Sequence, residues 1–171
     1  MSFQIQEHIP ADFNDQSKVW IYQCSRLFFL SEALEIEPML DDFIQSWKSH
    51  GAPVKGYANI FFGRFIVLMA DETEATVGGC STDSSVRLIK EIEQKFQVNL
   101  FDRQSLAFMI KDKIEILPLS QVGYAIENGF ITGNTLYFNN TVLNKKALME
   151  EWLIPVKESW LAKRFTFQET A

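Results

Sequence analysis

The sequence predicts an α+β fold of the ferredoxin-like (split β-α-β) type: one mostly antiparallel sheet with both main helices on one face. Two observations predict it. Strand-like and helix-like apolar patterns follow each other in the order strand, helix, strand, strand, helix, strand. The two middle strands are joined by a short glycine-containing turn, which is typical of an antiparallel hairpin. An added hairpin strand and a C-terminal helical extension complete the expected architecture.

The first four elements follow from residue type and spacing. Residues 18–24 are mostly β-branched or aromatic, which predicts a strand. Pro38 fits the first position of a helix, and apolar residues then recur at helical spacing. Two nearly continuous apolar runs, 57–62 and 65–70, predict a hairpin with a type II′ turn at Gly63-Arg64. We expect both faces of this hairpin to be covered.

The remaining elements are shorter, apart from one amphipathic helix. That helix is capped by Ser81 or Thr82, and its apolar stripe runs to Phe96. Residues 106–111 and 114–117 predict a second hairpin. The last expected elements are a short helix from Ser120 to Gly129, a strand at 135–138 and a helix from Asn144 to Trp152.

Length and composition place the chain among soluble globular proteins. It has 171 residues, of which 47% are hydrophobic and 22% charged, and these values exclude a disordered, collagen-like or coiled-coil chain. We expect one α+β domain over 1–171, with a core at about 15–118 and a C-terminal extension at about 119–171. The fifteen phenylalanines indicate packing: the extension, anchored by Trp152 and Trp160, or a homodimer partner would cover the second sheet face.

Charge and targeting signals narrow the functional classes. Sixteen Lys and Arg stand against twenty-two Asp and Glu, a net charge of −6, which argues against nucleic-acid binding. The longest apolar run, 65–70, is too short to cross a bilayer, and the N-terminus lacks a secretory pattern. Only Cys24 and Cys80 are present, without the spacing of a disulfide framework. We therefore expect a cytoplasmic protein without membrane insertion.

The best candidate site is the glycine-rich turn that leads into the second helix: Gly78, Gly79, Cys80, Ser81, Thr82 and Asp83. The N–H groups at a helix N-terminus favour an anion, and a cysteine there tends toward the thiolate. The segment therefore predicts a small-anion site or a nucleophilic or redox Cys80. A tight turn with Cys80 packed as a small apolar group explains the same residues. The two histidines lack a second ligand at helical spacing, so we expect neither metal nor cofactor.

Five stretches of the sequence are informative when they are taken together: 19–23, 79–86, 100–103, 138–140, and Trp152 with 159–160. Together they resemble a small bacterial protein family commonly labelled "ABC transporter ATPase". The resemblance implies that Gly79–Ser85 and the Asn139-Asn140 turn belong to the pattern that the family shares. ATP hydrolysis, the activity in that label, uses a G-x-x-x-x-G-K-[ST] loop, and this sequence contains neither that loop nor a Leu-Ser-Gly-Gly-Gln signature.

The sequence leaves three functions open. The leading hypothesis is a binding or interaction module, with a small anion or a protein as its partner, that binds near Gly79–Asp83. The alternative is a small enzyme that uses Cys80 as nucleophile or redox thiol. An ATPase, as the family label suggests, ranks third.

Overall fold

The computed structural model of the chain describes residues 5–167, apart from the side chain of Cys80. Its helices and antiparallel sheets confirm the predicted α+β class. The structure divides into two units, and the predicted single domain with its core at 15–118 stays a prediction. The larger unit holds residues 5–102 and 143–148, and the smaller unit holds residues 103–142 and 149–167.

The larger unit is built on a three-stranded antiparallel sheet. In chain order its elements are β1 (Lys18–Gln23), α1 (Leu30–Ser46), β2 (Lys48–Ser49), β3 (Ala52–Pro53), β4 (Lys55–Phe61), β5 (Phe65–Asp71) and α2 (Gly79–Phe96). β5 lies in the centre, with β1 and β4 antiparallel on either side, and β2 pairs with β3 as a separate small hairpin. All seven residues of β5 are buried, so both faces of the sheet are covered, as its continuous apolar sequence predicts.

One face of this sheet carries both α1 and α2. Ile66 and Leu68 of β5 form a core with Ile36 of α1 and with Ile89 and Ile92 of α2. This arrangement confirms that both main helices pack on the same side. The alternation of side chains along a strand sends the residues between them to the opposite face.

The N-terminal segment packs on that opposite face. The Phe13 ring lies edge-on to Tyr57 with centroids 6.3 Å apart, and the Tyr57 hydroxyl donates to the His8 carbonyl. The buried Lys145 ammonium donates to the carbonyls of Pro10 and Phe13 at 2.9 and 2.8 Å. Residues that the sequence indicated only as a polar lead-in therefore cover part of the sheet.

Helix α1 begins earlier than predicted. The Phe29 N–H donates to the Glu32 carboxylate at 2.8 Å, and Arg26 holds the same carboxylate through two bonds of 2.7 and 2.8 Å. A carboxylate three residues after the N-cap satisfies one of the free N–H groups of the first turn. The prediction that Pro38 opens the helix is wrong, since Pro38 lies exposed inside it.

The β4–β5 turn also differs from its prediction. Phe62 and Gly63 both have positive φ, 56° and 64°, so the turn is type I′ at Phe62-Gly63 rather than type II′ at Gly63-Arg64. The Gly63 carbonyl accepts the Phe28 N–H at 2.8 Å, which supports the turn from the start of α1. A type I′ turn matches the right-handed twist of the two strands that it joins. This match outweighs the strain of a positive φ at Phe62.

The smaller unit contains a four-stranded antiparallel sheet. Its elements are β6 (Ser105–Ile110), β7 (Lys113–Pro118), α3 (Leu119–Glu127), β8 (Leu136–Phe138), α4 (Lys145–Glu151), β9 (Leu153–Pro155) and α5 (Leu161–Arg164). Residues of α4 up to 148 belong to the larger unit. The order of the strands in the sheet is β7-β6-β8-β9. The strand expected to complete a ferredoxin-like sheet, β6, pairs with β7 and β8 instead. The split β-α-β arrangement is thus not confirmed.

The two tryptophans expected to anchor the C-terminal third are buried to different extents. Trp152 is 0% exposed and lies edge-on to Phe138 with centroids 5.6 Å apart. Trp160 is 36% exposed, and its indole donates to the Tyr137 hydroxyl at 3.0 Å. Trp152 therefore contributes more to the packing of the smaller unit. No helix in the described part of the chain is long and apolar enough to cross a bilayer.

Candidate functional site

The predicted segment forms the N-cap and first turn of α2. Gly78 is the N-cap, and Gly79, Cys80, Ser81, Thr82 and Asp83 follow in the helix. The Thr82 hydroxyl donates to the Gly78 carbonyl at 3.1 Å, and the Ser81 hydroxyl donates to the Lys48 carbonyl at 2.8 Å. Ser81 and Thr82 are therefore not the caps that the sequence predicted. Gly78, as the N-cap, provides no side-chain hydrogen bond to the first turn of α2.

Contacts from α1 and the β2–β3 hairpin hold this first turn in place. The Trp47 indole donates to the Ser81 carbonyl at 3.0 Å, and the Ser49 hydroxyl accepts the Gly78 N–H at 3.3 Å. A Cβ on Gly78 would lie 3.2 Å from His50 Nε2, whereas one on Gly79 would meet nothing within 4 Å. The His50 ring thus lies against the N-cap, while Gly79 faces open space.

The two cysteines differ in what the structure shows of them. The backbone of Cys80 lies in the first turn of α2, but its side chain is outside the described residues, so its role as nucleophile stays a prediction. Cys24 is free and 0% exposed. Burial raises the pKa of the Cys24 thiol, which keeps it protonated and unreactive at neutral pH.

A groove of about 610 Å³ lies between α1 and α2, next to the predicted segment. Phe43 and Trp47 from the end of α1 and Leu88 from α2 supply its apolar surface. Polar and charged residues complete the lining: Ser46, Lys48, Ser84, Arg87, Lys90, Glu91 and Gln94. The α2 residues recur at helical intervals, so a single face of α2 forms one wall.

The charges of the groove are opposite in sign to those of the chain. Its lining contains three cations, Lys48, Arg87 and Lys90, and one carboxylate, Glu91, whereas the whole chain has a net charge of −6. All three cations are exposed, and Lys48 and Lys90 form no ion pair within residues 5–167. Arg87 donates to the Ser84 hydroxyl at 3.2 Å, which directs its guanidinium along the α2 wall.

Sequence reasoning located one end of this region and missed the rest. It singled out the first turn of α2, and Ser81 in that turn contacts both Trp47 and Lys48 of the groove. Arg87 and Lys90 lie outside the apolar stripe of that helix and were not singled out as site residues. A signal did exist, because Arg87 and Lys90 are three residues apart on one helix face. Recognising a groove also requires knowing that α1 lies beside that face.

Apart from Glu91, the described acidic residues lie outside the lining of the groove. Within the described part of the chain, no three His, Cys, Asp or Glu residues are grouped so that they could hold a metal ion. Asp71 is nearly buried and accepts hydrogen bonds from Thr73 and the Asn14 N–H, which lower the pKa of its carboxyl to about 2. Asp71 therefore ties the N-terminal segment to the end of β5.

The chain matches no family model, no curated protein and no solved structure. The resemblance to the family labelled "ABC transporter ATPase" therefore stays a prediction.

Proposed function

We propose that this protein is a binding module for a small anionic ligand that also has an apolar part, held in the groove between α1 and α2. The observation that carries the proposal is the set of three cations around an apolar floor, formed by Phe43, Trp47 and Leu88, in a chain whose net charge is negative. A cleft with an apolar floor and a few charged groups is the common form of a small-molecule site.

The two parts of the groove favour different parts of such a ligand. Phe43 and Leu88 would cover an aromatic or aliphatic group, and each Å² of apolar surface removed from water contributes roughly 25 cal/mol. Arg87 can bind a carboxylate or phosphate through two parallel N–H bonds, while Lys48 and Lys90 add point charges. The ligand class is therefore a phosphate ester or carboxylate with an apolar substituent.

The first turn of α2 supports the groove in two ways. Ser81 fixes the backbone at Lys48 and the indole of Trp47, so it positions one wall. The positive end of the helix dipole adds a favourable field for an anion near Lys48, although this field weakens beyond the first turn. Because Arg87 and Lys90 lie farther along α2, their side chains carry most of the proposed affinity.

Three probes test the ligand class by isothermal titration calorimetry: phenyl phosphate, inorganic phosphate and benzyl alcohol. We expect phenyl phosphate to bind most tightly, because it alone engages both the cations and the apolar floor. We also expect its affinity to fall between 50 and 300 mM NaCl, since salt screens exposed charges over about 10 Å. Equal affinity for phenyl phosphate and inorganic phosphate would contradict an apolar contribution.

A triple substitution tests the location of the site. Lys48→Gln/Arg87→Gln/Lys90→Gln is expected to weaken phenyl phosphate binding by about tenfold or more, because it removes every cation of the groove. The matched control is Arg103→Gln/Lys113→Gln/Lys157→Gln, which removes one arginine and two lysines that are exposed in the smaller unit. If both variants lose affinity equally, the ligand responds only to net charge and the groove is not its site.

A further inference from the structure

The start of α1 displays an apolar surface that the groove does not use. Leu27, Phe29, Leu30 and Leu34 are 53%, 63%, 77% and 60% exposed. They lie within eight residues of one another and account for half of the large apolar side chains that are exposed in the described residues. Single exposed leucines are common, whereas a contiguous group on a soluble protein marks an interaction surface.

Hydrogen bonds and packing support the N-terminal part of this surface. Arg26 binds both oxygens of Glu32, donates to the Phe96 carbonyl at 3.0 Å and lies over the Phe29 ring at 4.6 Å. Phe28, between two exposed residues, is buried and fixes the backbone from below. The backbone that presents Leu27 and Phe29 is therefore ordered before a partner binds, which reduces the entropic cost of association.

The apolar surface continues into an acidic one along the same face of α1. Leu30, Leu34, Glu37 and Asp41 are all exposed and lie four, three and four residues apart, so they form one stripe along the helix. α1 contains five acidic residues and no basic one. The stripe thus has an apolar end and an acidic end, about 10 Å apart at a rise of 1.5 Å per residue.

We propose that this stripe, Leu30–Leu34–Glu37–Asp41 together with Leu27 and Phe29, docks an amphipathic helix of a partner protein. The partner helix would place apolar residues against the leucines and Lys or Arg against Glu37 and Asp41. Charge complementarity of this kind orients two helices and accelerates their encounter. This surface is separate from the groove, so the inference goes beyond the proposed small-ligand function.

The charges select this occupant over two others. In a second copy of the chain, an antiparallel α1 would set leucines against carboxylates, and a parallel α1 would set carboxylates against carboxylates. Like charges placed across an interface disfavour the complex. An anionic lipid surface would likewise be repelled by Glu37 and Asp41, because lipid binding of this type uses basic residues.

The test uses two synthetic helical peptides labelled with fluorescein. The first has leucines on one face of its first half and lysines on the same face of its second half, and the other has glutamates in place of the lysines. We expect the lysine peptide to bind, measured by fluorescence anisotropy, and its affinity to fall between 50 and 300 mM NaCl. Failure of the lysine peptide to bind at either salt concentration would overturn the inference.

Three double variants locate the binding surface. Leu30→Ser/Leu34→Ser should weaken lysine-peptide binding by about tenfold or more, since both leucines lose the surface they would bury. Tyr124→Ser/Phe130→Ser, which changes two side chains of similar exposure on the smaller unit, should leave it within about twofold. Glu37→Lys/Asp41→Lys should reverse the preference toward the glutamate peptide. The residues changed are exposed, so each variant should keep the melting temperature of the parent, which is measured alongside.

Three results would contradict the inference, because they would indicate non-specific binding, a lipid surface or a second copy of the chain. The first is equal loss of binding in the control variant. The second is co-sedimentation of the protein with phosphatidylglycerol vesicles that Leu30→Ser/Leu34→Ser abolishes. The third is a concentration-dependent dimer, seen by analytical ultracentrifugation, that the same substitution dissociates. None of these variants touches the groove, so a failure here leaves the phenyl phosphate result independent.

Discussion

The two helices that pack on the same sheet face begin with acceptors of different charge. At the start of α1, the charged Glu32 carboxylate accepts the N–H of the N-cap residue Phe29 and is itself held by Arg26. At the start of α2, the N–H of the N-cap residue Gly78 donates to the uncharged Ser49 hydroxyl. The positive end of α1 is therefore neutralised from within, whereas that of α2 can favour an external anion.

The same contrast extends along the two helices. α1 carries five acidic residues and no basic one, while the groove face of α2 presents Arg87 and Lys90. One sheet face thus supports an acidic outer stripe and, beside it, a basic groove. The difference shows that a net charge of −6 describes neither surface, because the charged residues of α1 are all acidic whereas the groove lining has three cations and one carboxylate.

The largest expected effect comes from removing the side chain that joins the two helices. Trp47 is 2% exposed, its indole donates to the Ser81 carbonyl, and its ring lies 4.9 Å from Phe43. Trp47→Ala should lower the free energy of unfolding by about 3–5 kcal/mol, measured by urea denaturation. Trp160→Ala, a change at a ring that is 36% exposed, should cost less than half as much. Equal losses of unfolding free energy in the two variants would show that Trp47 does not stabilise the fold more than the partly exposed Trp160.

A smaller effect is expected at the start of α1 and depends on pH. Hydrogen bonds from Arg26 hold the pKa of the Glu32 carboxyl at about 2, below its ordinary value of 4.5. Because the folded pKa is the lower one, the stabilisation is complete above about pH 4.5 and is lost as the pH falls toward 2. Glu32→Gln should therefore lower the free energy of unfolding at pH 7 by about 1–2 kcal/mol, the partly exposed Arg26 being screened by water.

The control for Glu32 lies on the same helix. Glu35 is 58% exposed and is 3.7 Å from the Lys95 ammonium. Glu35→Gln should change the free energy of unfolding by less than about 0.5 kcal/mol and should leave its pH dependence intact. Glu32→Gln should flatten that dependence between pH 4.5 and 2, although Asp71 keeps part of it. A parallel pH profile in Glu32→Gln and the parent would contradict the role assigned to the Arg26–Glu32 pair.

Sequence patterns predicted the positions of helices and strands better than the pairing of the strands. The continuous apolar run of β5 and the stripe of α2 each depend on one periodicity, and both were found where expected. The apolar run of β6 predicts a strand but does not say which strand lies beside it. Its pairing with β8 rather than with the first sheet depends on contacts between residues distant in the chain.

Local sequence signals also failed to predict where a helix begins or which residue caps it, because contacts with other parts of the chain determine both. Pro38 is a strong helix-start signal, yet α1 begins at Leu30, because Arg26 and Glu32 meet across the turn before it. Ser81 has the right residue type for a cap, but its hydroxyl bonds to the Lys48 carbonyl, 33 residues earlier in the sequence. The candidate segment could thus be predicted from its glycines and hydroxyls, and the groove beside it could not.

The smallest expected effect comes from making the start of α2 resemble that of α1. Gly78 has a φ of −86°, which any residue can adopt, so Gly78→Asp places a carboxylate at the N-cap without backbone strain. The new Cβ would lie 3.2 Å from Nε2 of the exposed His50 ring, which can rotate away. We expect the free energy of unfolding to rise by a few tenths of a kcal/mol, because an aspartate cap stabilises a helix more than a glycine cap by about that much.

Gly78→Asn separates the effect of the hydrogen bond from that of the charge, since asparagine supplies the same hydrogen bond without the charge. Both variants should be more stable than the parent, while only Gly78→Asp should weaken phenyl phosphate binding, because only its charge opposes the anion. Loss of stability in both variants would instead show that the close packing of His50 requires glycine at this position.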